Sequence, residues 1–271
     1  MENGAGRPAP GGADLIFRSF PPKHFKYLQV LNEFDMMRLE FQPIRPLGRA
    51  EMLYGQQFED RADAGRRLAA VLSGERIGQP VVLAVPRGGV PVAAEIAAAL
   101  GAELDFLFVR KIGAPSNREV ALGAIAGSGQ PQVVLNDDLV GLCGATSAYL
   151  DDEAARQRTE IDRQRRRYLG DRVQVPLQGR NVIVVDDGVA TGATLAAALK
   201  AVRLQAVASI TLAVPVGPPE TVRLLARSAD RVVCLQQPAG FRAVSCHYRD
   251  FAQVTDQEVV DLVTRPAADP P

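Results

Sequence analysis

The segment Val182–Thr194 constrains the fold of this chain more than any other part of its sequence. It begins with a run of branched apolar residues, which is typical of a parallel strand buried on both faces. Two carboxylates, Asp186 and Asp187, end the run, and a loop of small and hydroxyl-bearing residues leads into an apolar helical pattern over Leu195–Leu204. This order predicts an α/β fold with a ligand crevice at the carboxyl end of the strand.

The loop after the two acids predicts a site for a sugar phosphate. Its backbone N–H groups can surround a phosphate at the start of a helix, where the partial positive charge favours an anion. The cradle consists of Ala190, Thr191, Gly192, Ala193 and Thr194. Asp186 and Asp187 suit ribose hydroxyls, with a magnesium ion close by. The lysine of a Walker-type loop and the G-x-G-x-x-G pattern of dinucleotide sites are both absent here. A simpler alternative is that the acids only cap the following helix.

Composition excludes several classes of partner. The chain has 271 residues and a formal net charge of zero, so no broad attraction to nucleic acid or membranes is expected. No apolar run approaches the roughly 20 residues of a membrane span, and the first residues lack the apolar core of a signal peptide. Three scattered cysteines are too few for a disulfide framework or a zinc site. A reduced, cytoplasmic setting fits best.

The pattern along the chain divides it into three parts. Residues 1–57 form an N-terminal extension, either an arm that packs on the domain or a partner subunit, or upstream sequence from a wrongly chosen start codon. Over residues 58–255, strands and helices alternate, which predicts a doubly wound, mostly parallel sheet with a small irregular hood. Residues 256–271 are expected to be the end of a helix and a tail.

Two further groups are predicted at strand ends. Arg87-Gly88-Gly89 follows a short apolar strand over Pro80–Val85, and its glycines expose backbone N–H groups. The next strand, Leu104–Val109, is expected to end in Arg110 and Lys111. Because the carboxyl ends of parallel strands meet at one edge of a sheet, we expect both groups to lie beside Asp186 and Asp187.

On these residues the chain resembles the type I phosphoribosyltransferases, which use phosphoribosyl pyrophosphate (PRPP). The signature segment is Val182–Thr194, and the resemblance extends from about Phe58 to about Phe251. It is strongest to a bacterial group whose acceptor is unassigned, marked by stretches such as Ala84–Pro91 and Val109–Gly113.

The resemblance implies a role for each group. Asp186 and Asp187 would hold the ribose hydroxyls, directly or through Mg²⁺, and the cradle would bind the 5′-phosphate. Arg87, Gly88 and Gly89 match the pyrophosphate loop, which in relatives often contains a non-proline cis peptide. Arg110 and Lys111 would neutralise the pyrophosphate, and the loop 113–119 would close as a lid.

The implied function is transfer of a phosphoribosyl group to an unassigned acceptor by a Mg²⁺-dependent enzyme that forms a homodimer. A non-catalytic PRPP sensor is the alternative. Purine salvage is doubtful, because Ala213–Gly217 lacks the lysine that reads the purine oxygen in those relatives. Phe241 and Tyr248 either stack on the acceptor or pack in the core. Glu119 is either a general base or a solvated loop acid, and His247 is expected to be structural.

Overall fold

The computed structural model describes residues 57–75, 77–127 and 131–264. Most of the expected N-terminal extension and the C-terminal tail lie outside these residues. The described part contains seven α-helices and eight strands. In chain order they are α1 (Arg61–Leu72), β1 (Pro80–Ala84), α2 (Gly89–Leu100), β2 (Glu103–Phe106), β3 (Phe108–Gly113), β4 (Ala121–Gly127), β5 (Gln132–Leu135), α3 (Asp137–Leu142), α4 (Ser147–Leu169), β6 (Asn181–Val185), α5 (Ala193–Arg203), β7 (Ser209–Val216), α6 (Pro219–Leu225), β8 (Arg231–Gln236) and α7 (Asp256–Thr264).

The strands form two sheets. The larger is a five-stranded parallel sheet in the order β2-β1-β6-β7-β8, which confirms the predicted α/β architecture. The smaller is the antiparallel sheet β3-β4-β5. Because β6 lies at the centre of the parallel sheet, between β1 and β7, its carboxyl end opens between two neighbouring strand ends.

Helices cover both faces of the parallel sheet, which explains why its central strands are almost entirely apolar. Val82 and Ala84 of β1 belong to a core with apolar residues of α1, α2, α4 and α7. Val81 and Leu83 point to the opposite face and pack in a second core with apolar residues of α5. The alternation of side chains along a strand therefore divides one buried run between two cores.

Helix ends follow local sequence signals. The side chain of Asp60 accepts a hydrogen bond from the N–H of Asp63 at the start of α1, and Thr146 does the same for Tyr149 at the start of α4. Arg166 and Arg167 lie in the last turn of α4, where their charges complement the helix dipole.

The prediction of a single parallel strand over Leu104–Val109 is wrong. The parallel strand β2 ends at Phe106, and β3 begins at Phe108 in the antiparallel sheet. Arg110 and Lys111 therefore lie inside β3, paired with β4, and do not follow a parallel strand. The end of β2 and the start of β3 are both buried and therefore both apolar. The sequence shows one continuous apolar run there, which gives no sign that the chain passes from one sheet to the other.

Candidate active site

The two predicted acids lie directly after β6. The Oδ2 atom of Asp187 accepts a hydrogen bond from Nε of Arg61 at 2.8 Å, and these side chains are only 16% and 11% exposed. The Oδ1 atom of Asp186 accepts from the N–H of Asp187 at 2.9 Å. Helix α5 has Gly192 as its N-cap and no side-chain cap, so neither acid caps it.

Burial dominates the electrostatics of the acid pair. It raises the pKa of Asp186 well above the usual range, and the neighbouring Asp187 charge raises it further. Burial also raises the pKa of Asp187, against the opposing effect of the Arg61 guanidinium. A ligand that brings hydroxyl donors or a cation would therefore stabilise the ionised form of the two carboxylates.

The cradle adopts an open turn before α5. Gly192 has a φ of 72°, a conformation that favours glycine, and Thr221 donates a hydrogen bond to the carbonyl oxygen of Ala190 at 2.7 Å. Ala190, Thr191, Ala193 and Thr194 are exposed. The first N–H groups of a helix lack intrahelical partners, so this exposed turn suits an anion.

The predicted pyrophosphate loop packs against the acids. The peptide bond between Pro86 and Arg87 is cis. A Cβ atom added to Gly88 would lie 2.6 Å from Cγ of Asp187, and one added to Gly89 would lie 2.6 Å from the carbonyl oxygen of Val185. The loop therefore packs so close to the carboxyl end of β6 that a side chain at either glycine would clash with it.

The side chain of Arg87 contacts the C-terminal helix. One of its terminal nitrogens lies 3.7 Å from Oδ1 of Asp256. Asp256 also accepts a hydrogen bond from the hydroxyl of Tyr168 at 2.5 Å and forms an ion pair with Arg167 at 3.0 Å. Helix α7 therefore connects the predicted pyrophosphate loop to the last turn of α4.

Arg110 and Lys111 do not act as a pair in this structure. Successive residues of β3 point to opposite faces, and Arg110 shares its face with Phe108, whose ring stacks on Tyr168 of α4. Lys111 points to the other face, where its Nζ lies 3.1 Å from Oε2 of Glu119. The joint role expected for the two residues would need one of them to change its orientation.

Glu119 lies at the end of the loop 113–119, and its side chain is 90% exposed. The loop is also joined to α4, since the hydroxyl of Tyr149 donates to the carbonyl oxygen of Gly113 at 2.9 Å. Arg118 lies 3.7 Å from the buried carboxylate of Glu153 in the same helix. The predicted lid is therefore held at both ends by polar contacts.

The irregular segment between β8 and α7, residues 237–255, which we call the hood, has an aromatic residue that contacts the acid pair. The hydroxyl of Tyr248 donates to the carbonyl oxygen of Asp187 at 2.6 Å. The Tyr248 ring is buried between Phe58 and Phe251, with centroid distances of 5.2 and 4.9 Å. This geometry matches the core-packing alternative for Tyr248.

The second hood aromatic, Phe241, is only partly buried. It stacks on His247, with ring centroids 5.8 Å apart and an interplanar angle of 10°. Nδ1 of His247 lies 3.2 Å from Oε1 of Gln236 at the end of β8, as expected of a structural histidine. The role of Phe241 in stacking on an acceptor stays a prediction.

Sequence reasoning missed Arg61, although it contacts a predicted site residue directly. In the sequence it is an ordinary basic residue in the first turn of an amphipathic helix. Its partner lies 126 positions away, and no local spacing links the two. Only the tertiary structure reveals the contact.

Comparison with known proteins supports the family suggested by this arrangement. A family model described as the phosphoribosyl transferase domain matches residues 55–249. The chain belongs to the phosphoribosyl transferase family. Among its relatives are two proteins of Mycobacterium tuberculosis, one from strain H37Rv named "Putative phosphoribosyl transferase Rv0571c" and one from strain CDC 1551 named "Putative phosphoribosyl transferase MT0597". Each is 47% identical over 211 residues, which is 77% of this chain and 46% of the relative.

The family match has a structural counterpart. The crystal structure of the protein TT1426 from Thermus thermophilus aligns with a TM-score of 0.69 and 44% identity, covering 77% of this chain and 98% of that one. By contrast, the chain spans about half the length of the curated relatives that it matches. Among the described residues, no helix is long and apolar enough to span a membrane.

Proposed function

We propose that this protein is a phosphoribosyltransferase that moves the 5-phosphoribosyl group of PRPP to an acceptor and releases pyrophosphate. The observation that carries the proposal is the direct packing of Gly88 against Asp187, with the open turn before α5 on the same strand end. A ribose with phosphate groups at both ends matches an acid pair that lies between a glycine loop and the turn that begins a helix.

Each part of the crevice has a role in this proposal. Asp186 and Asp187 accept hydrogen bonds from the ribose hydroxyls, and the cradle donates its N–H groups to the 5′-phosphate. Backbone N–H groups of Arg87 and Gly88, together with Lys111, face the pyrophosphate. The N–H of Gly89 donates to the carbonyl oxygen of Val85 at 3.1 Å and holds the loop in place. As the glycosidic bond to pyrophosphate breaks, negative charge grows on the leaving group, and these donors stabilise it more in the transition state than in the ground state.

The donor set fits a magnesium ion that arrives with the substrate. No cluster of three or more metal-ligating side chains exists in the described residues, and one oxygen of Asp187 already binds Arg61. Mg²⁺ keeps several waters and prefers phosphate and carboxylate oxygens, so Asp186 and Asp187 would hold it from one side. When bound, the ion neutralises charge on the departing pyrophosphate.

The loop 113–119 completes the proposed site as a lid. Glu119 keeps Lys111 in an ion pair, so PRPP would have to draw the lysine away from this partner. Closure of the loop would exclude water from the reacting carbon and so suppress hydrolysis of PRPP. We further propose that the enzyme acts as a homodimer in the cytoplasm.

A PRPP sensor without turnover is the second candidate. It is favoured by the internal pairing of three charged groups of the site, since Asp187 binds Arg61, Arg87 contacts Asp256 and Lys111 contacts Glu119. Such pairing suits a site that changes its contacts when a ligand binds.

One experiment separates the two candidates. The full chain is incubated with PRPP, MgCl₂ and a panel of nucleobases, amines and other nucleophiles, and pyrophosphate release is measured, with PRPP binding followed by calorimetry. Acceptor-dependent release supports the transferase. Tight binding without release across the panel supports the sensor, and the absence of PRPP binding contradicts both.

A further inference from the structure

Arg61 joins three separate parts of the protein at the acid pair. Its Nε donates to Oδ2 of Asp187 at 2.8 Å, and its Nη1 donates to the carbonyl oxygen of Ala252 at 2.7 Å. Its Cζ lies 3.8 Å from the centroid of the Phe251 ring, in cation–π contact. The guanidinium therefore links helix α1, the end of β6 and the segment 251–252.

These contacts fix the orientation of the guanidinium. Two donors are engaged in different directions while the flat face lies on an aromatic ring, and the side chain is only 11% exposed. A planar donor held in this way determines where the Asp187 carboxylate lies. Arg61 engages Oδ2 of Asp187, and we expect Oδ1 to be the oxygen that receives a ligand hydroxyl.

The main chain of Asp187 is held by a residue of the hood. Tyr248 donates to the carbonyl oxygen of Asp187 at 2.6 Å, and its ring packs 4.9 Å from Phe251. Arg61 and Tyr248 therefore hold the side chain and the backbone of one aspartate, and both contact the Phe251 ring. This arrangement makes the position of the acid depend on the hood.

We propose that Arg61 is a positioning residue for sugar binding: it holds Asp187 in the orientation that receives a ribose hydroxyl and connects that acid to the hood. The inference rests on the proposed function, because it assigns the ribose to the acid pair. It predicts that loss of Arg61 weakens binding of the sugar portion of the substrate and spares the pyrophosphate portion.

Calorimetry with two fragments of PRPP tests this separation. Ribose 5-phosphate and magnesium pyrophosphate are titrated into the wild-type full chain and into Arg61→Met and Arg61→Lys. We expect Arg61→Met to bind ribose 5-phosphate about tenfold more weakly, the usual scale for one charged hydrogen bond, and to bind pyrophosphate within about twofold of wild type. Arg61→Lys retains the positive charge but lacks the planar guanidinium, so its affinity for ribose 5-phosphate should lie between those of the wild type and Arg61→Met.

Arg66 provides a matched control on the same helix. Its side chain is 57% exposed and lies 3.8 Å from Glu95, away from the acids, so Arg66→Met should bind both fragments as wild type does. In a double-mutant cycle, Arg61→Met should add little to the effect of Asp187→Asn, because Arg61 acts through Asp187.

The outcomes distinguish the inference from the function on which it rests. Equal weakening of both fragments, unchanged binding of ribose 5-phosphate, or full additivity with Asp187→Asn would overturn the role of Arg61 while leaving the transferase intact. If the wild-type chain binds neither fragment, the proposed function itself fails. Should Arg61→Met not fold, Arg61→Lys provides the same comparison of fragments.

Discussion

A single methyl group on the predicted pyrophosphate loop should displace an acid on the neighbouring strand. In Gly88→Ala, the new Cβ would lie 2.6 Å from Cγ of Asp187. Carbon atoms in contact need about 3.5 Å, so the carboxylate has to move by about 1 Å. The backbone of Gly88 has a φ of −59°, which alanine adopts freely, so the whole effect comes from this contact.

The displacement breaks the hydrogen bond that Arg61 donates to Asp187 at 2.8 Å. A hydrogen bond to a charged group contributes about 1.5–3 kcal/mol, and we therefore expect the free energy of unfolding to fall by about 2 kcal/mol. For a domain of this size, that loss lowers Tm by roughly 4–8 °C. Binding of ribose 5-phosphate should weaken by about tenfold or more, since the acid no longer faces the sugar.

The assay combines thermal unfolding with calorimetry, and Gly141→Ala serves as its control. Gly141 lies in α3, and a Cβ added there meets nothing within 4 Å, so alanine should leave binding unchanged and raise stability by about 0.4–1 kcal/mol. A Gly88→Ala protein with the wild-type Tm and wild-type affinity for ribose 5-phosphate would refute the packing argument.

Three further substitutions test other contacts. Gly192→Ala should cost about 2 kcal/mol in urea unfolding, because φ is 72° and its Cβ would lie 2.6 Å from Thr221; unchanged stability would contradict this. The Tyr168 hydrogen bond lowers the pKa of Asp256 below its ordinary value of 3.8, so its charge stabilises the fold above about pH 4 and ceases to do so as pH falls through the folded-state pKa. Asp256→Asn should therefore be less stable than wild type at pH 7, and the difference should shrink as pH falls below about 4; a difference independent of pH would refute this. Asp187→Asn should reduce turnover by about tenfold or more with the fold intact, and wild-type rates would exclude Asp187 from the site.

Local signals predicted the elements that carry the acid pair and the cradle. The apolar run that begins at Val182 predicts β6, which spans Asn181–Val185, and the helical pattern over Leu195–Leu204 predicts α5 to within two residues of its start and one residue of its end. These predictions succeeded because burial on both faces and helix periodicity are properties of neighbouring residues.

The remaining features depend on contacts between distant residues. Arg110 was predicted at a strand end because the apolar run before it continues through a change of sheet. The contacts of Arg61 with Asp187 and of Arg87 with Asp256 join parts of the chain that no spacing relates. Phe241 and Tyr248, the two candidates for stacking on an acceptor, lie in an irregular segment, for which periodicity gives no information.

The position of Asp256 has a consequence beyond its own stability. One carboxylate on the last described helix contacts the loop beneath the crevice and the final turn of α4. A diphosphate that attracted the Arg87 guanidinium would remove one of the cationic neighbours of that carboxylate. A charge bound at the substrate loop would then be felt at Asp256 and so at the contact between α7 and the last turn of α4.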